Sequence, residues 1–356
     1  MRQRVIAALA AAGLAVTLSG CGGDDNTGPK PSQSPTVVAS VGEPSPTESA
    51  APKVVVDSEG MPTVEFGDGG VPTFTFPEED APDTMQVSVL EEGSGRELGA
   101  EDFVVVNYVG QVWDADKPFD SSFKTAQPAA FSLLKLVSGW RHTLSGRHVG
   151  DKVIISLPPE FGYGANGQAT AGIGGTDTIV FYIEIIDGWS AESAGQPGAT
   201  VETDGADLPV TITGDVGSPV TAVKIKKDQA APTELTTRTI AKGNGPAVAG
   251  QGSRVFIAYS AIVWETGEIR ESTWTGTPSN MLGAQPVEMG RGTVFDSLDG
   301  ATVGSRVLIL VPESDGSDSR SSSPAMAVVV DILGYQAAPA APSPSASPSA
   351  SASPTS

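Results

Sequence analysis

Phe103-Val104-Val105-Val106-Asn107-Tyr108 returns 151 residues later as Arg254-Val255-Phe256-Ile257-Ala258-Tyr259. Both hexapeptides have the branched and aromatic content of a strand and end on the same tyrosine. Working outward, Ala81–Gly95 lines up with Ala231–Gly245 at an offset of 150, and Val149-Gly150-Asp151-Lys152-Val153 with Val303-Gly304-Ser305-Arg306-Val307 at 154. A period this long marks a tandem duplication of domains rather than a solenoid. The first unit is assigned to residues 54–190 with its core at 83–189, the second to 202–335, and the Gly/Ala/Ser/Pro-bearing stretch 191–201 to a linker.

Each unit reads as β-rich. Val104–Tyr108, Lys152–Leu157 and Thr178–Ile186 are strand candidates; in the last, Phe181, Ile183 and Ile185 share one face and Tyr182, Glu184 and Ile186 the other. The helix candidate of the first unit is Gly139–Ser145, with Trp140 and Leu144 at i, i+4 and Ser138 in the N-cap position. The expected fold class is α+β: two tandem domains, each an antiparallel sheet wrapped on one short helix.

Six blocks then fall in order: Val105–Gly110, Phe119-Asp120-Ser121-Ser122, Leu136-Val137-Ser138-Gly139-Trp140, Val149-Gly150-Asp151, Pro159-Glu160-Phe161-Gly162-Tyr163-Gly164 and Ile179–Glu184. In order and spacing this series resembles the FKBP-type peptidyl-prolyl cis-trans isomerases, over about Asp83–Trp189. The resemblance implies a pocket made of Tyr108, Phe119, Asp120, Phe131, Leu136, Val137, Trp140, Tyr163, Ile173 and Phe181. By that resemblance Trp140 is the floor, and Phe119, Phe131 and Phe181 are walls around a prolyl ring. The backbone N–H of Val137 and the hydroxyl of Tyr163 hold substrate carbonyls, and Asp120 and Tyr108 are hydrogen-bonded at the wall. Departures from the best-known members are Thr125, where an Arg often pairs with the Asp, Ala129, where an aromatic can sit, and Gly174-Gly175, where a Pro-Pro stands.

The residue set suits the chemistry. An X–Pro bond rotates over a barrier of roughly 18–20 kcal/mol that arises from amide resonance. The twisted amide has lost resonance and charge separation, so an aromatic, water-poor pocket favours it over the planar form. An acceleration of ~10⁴–10⁶ needs about 5–8 kcal/mol, without nucleophile, metal or cofactor.

The second unit keeps Tyr259, Pro278 and the Val303-Gly304 turn, but aligns Ile269-Arg270 with Phe119-Asp120 and Thr293-Val294 with Gly139-Trp140. The loop bearing Tyr163 becomes Ser314–Ser321, and the position of Phe181 becomes Val328 or a neighbour. A pocket so stripped is expected to have little or no isomerase activity, serving binding, spacing or stability instead.

Beyond the units, Arg2 and Arg4 precede an apolar run from Val5 to Leu18, too short to span a bilayer and read as a signal peptide, residues 1–20. Leu18-Ser19-Gly20-Cys21 resembles a bacterial lipobox, which implies lipid on Cys21 and an exported protein anchored to the outer face of the cell membrane. Residues 21–53 read as a disordered tether and 336–356 as a disordered Ala/Pro/Ser tail. The chain has 356 residues, with 42 Gly, 28 Pro, one Cys and two His; 21 basic against 42 acidic side chains give a net charge of −21. Such a charge repels phosphate backbones, and one Cys with two His excludes a disulfide framework and the usual zinc sites. The expected partners are proline-containing segments of folding exported proteins, met by a monomer; the alternative is a non-catalytic lipoprotein that holds such segments. Gly162–Gly167 fits G-x-G-x-x-G, but no helix follows to hold a phosphate. His142 and His148 have no nucleophile in reach by sequence, and Glu313–Asp318 lacks the ligand alternation of a calcium loop.

Overall fold

The computed structural model describes residues 52–339 apart from 58, 68–69, 126, 277–281 and 316–321. The leader 1–20, Cys21, nearly all of the tether, Pro278, most of the Ser314–Ser321 loop and the tail from residue 340 lie outside the described residues. Among the described residues no helix is long and apolar enough to cross a membrane.

The first unit runs β1 (Val54–Val56), the hairpin β2 (Thr63–Phe66) and β3 (Pro72–Thr75), β4 (Met85–Glu91), β5 (Phe103–Val112), β6 (Asp120–Ser121), β7 (Ala129–Ser132), α1 (Ser138–Leu144), β8 (Lys152–Leu157) and β9 (Ile179–Trp189). Its sheet has the order β1-β4-β8-β9-β5-β6, with β7 also paired to β5. The second unit runs β10 (Thr200–Val201), the hairpin β11 (Val210–Thr213) and β12 (Ala222–Ile225), β13 (Thr236–Lys242), β14 (Arg254–Val263), β15 (Ile269–Ser272), β16 (Gln285–Glu288), β17 (Arg306–Val311) and β18 (Met326–Gln336). Its sheet has the order β10-β13-β17-β18-β14-β15, with β16 on β14. The strand order of the second sheet repeats that of the first, except that β1 runs parallel to β4 whereas β10 runs antiparallel to β13.

Alternation along each strand divides the apolar residues between two faces. Val104, Val106, Tyr108, Phe181, Ile183 and Ile185 point into one core with Trp140 and Leu144 of α1. On the opposite face Ile154, Val180 and Tyr182 are fully buried under the β2–β3 hairpin, which brings Val64, Phe74 and Phe76 onto them beside Trp113 and Phe123. The hairpin β11–β12 covers the second sheet likewise, setting Val210 and Val223 against Ile262, Trp264, Leu308 and Val329. The repeated unit is therefore longer than the Ala81/Ala231 match, because it includes a hairpin lid over the outer face.

Several expectations need correction. The first sheet is mixed, because β1 pairs β4 in parallel. Helix α1 begins at Ser138 and ends at Leu144; Val137 is the N-cap, in extended backbone, and Ser138 makes no side-chain cap. The second unit has no α-helix at the matching place, only the 3-10 turn Val294–Leu298. Gly290 and Gly292 at φ +81° and +74° precede it and Gly300 at +82° follows it, so positive-φ backbone brackets the turn on both sides. Residues 191–201 are not a free linker. Gly195 N–H donates to Asp331 (2.7 Å), Gln196 N–H to the Gly304 carbonyl (2.8 Å), and Thr200–Val201 pair with β13. The last strand continues to Gln336, one residue into the stretch assigned to the tail.

The two units touch through the same patch of each. Trp189 stacks on Phe256 (ring centroids 4.8 Å, 29°), and Phe103 lies 6.1 Å from Phe256. Val105, the repeat counterpart of Phe256, joins this cluster with Ala284, Ala130 and Leu333. A Cβ on Gly334 would sit 2.4 Å from the Trp189 ring, so only glycine lets the indole lie on that strand.

The joint is locked by a buried ion pair. Arg306 and Asp331 are 1% and 0% exposed and face each other across β17 and β18. The guanidinium donates to both Asp331 carboxylate oxygens (2.7 and 2.8 Å) and to the carbonyls of Gly214, Asp215 and Ser218 in the hairpin loop (2.8, 3.0 and 2.6 Å). Every N–H of the group has a partner, the condition under which a buried ion pair offsets its desolvation. Asp331→Ala leaves the guanidinium uncompensated, and denaturant unfolding should show a loss of about 3–5 kcal/mol confined to the second unit.

Candidate functional site

Nine of the ten pocket residues named from the sequence line one narrow cleft: Tyr108, Phe119, Asp120, Phe131, Leu136, Val137, Trp140, Tyr163 and Phe181. The tenth, Ile173, is buried in the core beneath and does not line it. Strand β5 contributes Tyr108, β6 Asp120, β7 Phe131, α1 Trp140 and β9 Phe181. Leu136 and Val137 belong to the turn entering α1, and Tyr163 to the loop after β8.

The rings meet edge to face, the arrangement that aromatic quadrupoles favour. Trp140 lies 5.2 Å from Phe181 at 78° and 5.7 Å from Tyr108 at 82°; Phe119 meets Phe181 at 5.7 Å and 88°, and Phe131 meets Tyr108 at 5.8 Å. Trp140 is only 3% exposed, so the cleft has a rigid apolar base. Val137, as N-cap, presents its backbone N–H where helices leave donors without intrahelical partners.

The polar edge is held by Tyr108. Its hydroxyl donates to Asp120 at 2.5 Å, and its backbone N–H donates to the Ser122 hydroxyl at 2.9 Å. The second Asp120 oxygen accepts from Ser121 N–H (2.8 Å). Burial, then the hydrogen bond and charge of Asp120, push the Tyr108 phenol well above its ordinary range. The Tyr163 phenol is raised too, by burial first and the Asp120 charge second. Both hydroxyls are thus protonated donors at neutral pH. The departures noted in sequence lie around this edge: Thr125 donates to the Ser122 carbonyl (2.9 Å), and Ala129 sits on β7.

Gly110 is a functional position that the sequence reading quoted but gave no role. A Cβ there would lie 2.5 Å from Phe181 and 2.7 Å from Phe119, so its hydrogen makes room for both rings. The repeat carries the signal, since the matching residue is Ala261, and there the partners across the strands are Glu271 and Val328. That pairing corrects one alignment. Asp120 corresponds to Glu271 and Phe119 to Arg270, one place on from Ile269-Arg270, because the constant offset of 151 holds through β15. Glu271 accepts from the Tyr259 hydroxyl at 2.5 Å and Thr273 from Tyr259 N–H at 2.9 Å, duplicating the Tyr108 edge. The wall rings are gone, with Val287 on β16 where β7 has Phe131, but an aromatic remains below, because Phe295 makes the contact with Tyr259 (5.4 Å) that Trp140 makes with Tyr108. Of the rejected motifs, Gly162–Gly167 holds one short 3-10 turn, Gly164–Asn166, and His142 packs edge-on to Phe161.

Known proteins resemble the unit that holds this cleft. The sequence profile described as FKBP-type peptidyl-prolyl cis-trans isomerase matches residues 95–186. A "Probable FK506-binding protein" of Corynebacterium glutamicum is 33% identical over 115 residues, 32% of this chain and 96% of that protein. The chain belongs to the FKBP-type peptidyl-prolyl cis-trans isomerase family. The isomerase FkpA of Escherichia coli strain K12 is 37% identical over 99 residues, 28% of this chain and 36% of that protein. The isomerase Mip of Coxiella burnetii is 35% identical over 102 residues, 29% of this chain and 44% of that protein. The chain thus spans under half the length of these two relatives, and the family match falls on the unit that holds the cleft.

Gly110→Ala forces Phe119 or Phe181 from its seat. We expect a stability loss of about 1–3 kcal/mol by denaturant unfolding, together with weaker binding of a prolyl peptide.

Proposed function

We propose that the first unit is a peptidyl-prolyl cis-trans isomerase, and that the second is a degenerate FKBP-like copy without that activity. The observation carrying the reading is the convergence of four strands, helix α1 and the loops beside them on one aromatic cleft with Tyr108, Asp120, Tyr163 and the Val137 N–H at its edge. The prolyl ring enters between Phe119, Phe131 and Phe181 over Trp140. There the X–Pro carbonyl leaves water and its planar, charge-separated form loses hydration, while the twisted form loses little. The Val137 N–H and the Tyr163 hydroxyl hold flanking carbonyls, fixing the peptide in a bent shape. Asp120, held by Tyr108, sits beside the rotating carbonyl. The second unit keeps the Tyr259–Glu271 edge, but with Arg270, Val287 and Val328 at the wall positions it lacks the rings that would desolvate a prolyl group.

In this reading the protein is exported, held to the membrane by lipid on Cys21, and acts on proline-containing segments of proteins folding outside the cytoplasmic membrane. Cys21→Ser should move it from the membrane to the soluble fraction of cells.

The activity is tested by cis–trans exchange of the tetrapeptide Ala-Leu-Pro-Phe with the chain lacking residues 1–21. Trp140→Leu and Asp120→Val should each lower kcat/KM about 10- to 100-fold, equal to roughly 1.4–2.7 kcal/mol of transition-state binding. A folded wild-type chain that binds the peptide without accelerating exchange would instead support the client-holding alternative.

A further inference from the structure

Strand β7 is four residues long and, among the described residues, pairs only with β5. Successive residues of such a strand point to opposite faces. Phe131, opposite Val104, turns into the cleft, where it meets Tyr108 (5.8 Å) and Trp140 (6.1 Å). Ala130, opposite Val105, turns the other way, into the cluster that Phe256, Trp189 and Ala284 form between the units. The strand is also fastened from beyond its own unit. The Gln336 side-chain amide donates to the Pro128 carbonyl at 3.1 Å, just before β7 begins, and Gln127 donates to the Ala337 carbonyl at 3.5 Å. One face of a short edge strand therefore carries a cleft ring, while its other face and its entry point rest on the second unit.

We propose that the second unit is a positioning element for the first: Phe256 and Gln336 hold β7 against β5 and so keep Phe131 in place to close the prolyl cleft. The proposal rests on the isomerase reading of that cleft. A two-sided strand explains why the second unit can lose its own rings and still keep a buried Phe256 (2% exposed) facing its neighbour. In the first unit the equivalent residue is the smaller Val105, and the space between the two is filled by the Trp189 indole. A strand paired along one edge opens readily unless something covers it, and a small displacement of Phe131 would admit water to the cleft.

The test uses the chain lacking residues 1–21 with both units present. Phe256→Ala should lower kcat/KM for Ala-Leu-Pro-Phe about tenfold, and speed amide exchange along β5–β7 while the β8–β9 ladder stays protected. Gln336→Ala, which leaves the apolar cluster intact and so guards against simple unfolding, should act in the same direction by about 2- to 3-fold. In double-mutant cycles Phe256→Ala should be non-additive with Phe131→Leu and additive with Phe119→Leu, a pattern that general destabilisation would not produce. Unchanged kcat/KM in both variants, or additivity with Phe131→Leu, would overturn the proposal. If the wild-type chain binds the peptide without accelerating exchange, the isomerase reading fails alone, and the same cycles read in peptide affinity decide this one. A wild-type chain that neither binds nor accelerates would overturn both.

Discussion

The two-residue period of β5 is the constraint on which the rest depends. Val104, Val106 and Tyr108 face the core and the cleft, whereas Phe103 and Val105 face the neighbouring unit. A slip of one residue would exchange the two sets and bring Tyr108 out of reach of Asp120. The strand is central, between β9 on one side and the short β6 and β7 on the other. Its ten residues thus set where the site forms and where the second copy docks.

Having both copies in one chain separates what the fold needs from what the cleft needs. Each copy keeps the tyrosine–carboxylate bond across the strand edge and the hydroxyl that accepts from the tyrosine's backbone N–H. These fasten a short edge strand to β5 or β14, and they persist where the wall rings are absent. What differs is linked sterically. Gly110 tolerates two rings above it, and where alanine replaces it as Ala261 the rings are absent. The carboxylate–tyrosine pair is therefore common to both copies, whereas the glycine with its two phenylalanines belongs to the first.

Much of the site was legible because its residues come in dense, ordered blocks with little freedom in spacing. Nine of the ten residues share the cleft, and Ile173 fell beneath it because an apolar residue in a loop can serve core or cleft with the same chemistry. The fold was legible where alternation was strong, as in β9. It was less so at the ends. Val54–Val56 and Thr200–Val201 are too short to show a period, and the hairpins gain their stability from the sheet face they cover rather than from local pattern. The docked segment 191–201 was read as linker because its order comes from Asp331 and Gly304, over a hundred residues away.

Arg306 joins a hairpin loop and two strands in one knot of hydrogen bonds, and its carboxylate partner also holds the segment between the units. Parting the two strands would strand a charge in a dry interior, and losing the loop or the segment would leave buried donors and acceptors without partners. The first unit's matching lysine, Lys152, makes its ion pair with Glu91 in the open, where release costs little. The second unit's strands, joint and lid should accordingly open together, whereas the pair at the matching place of the first unit can open alone.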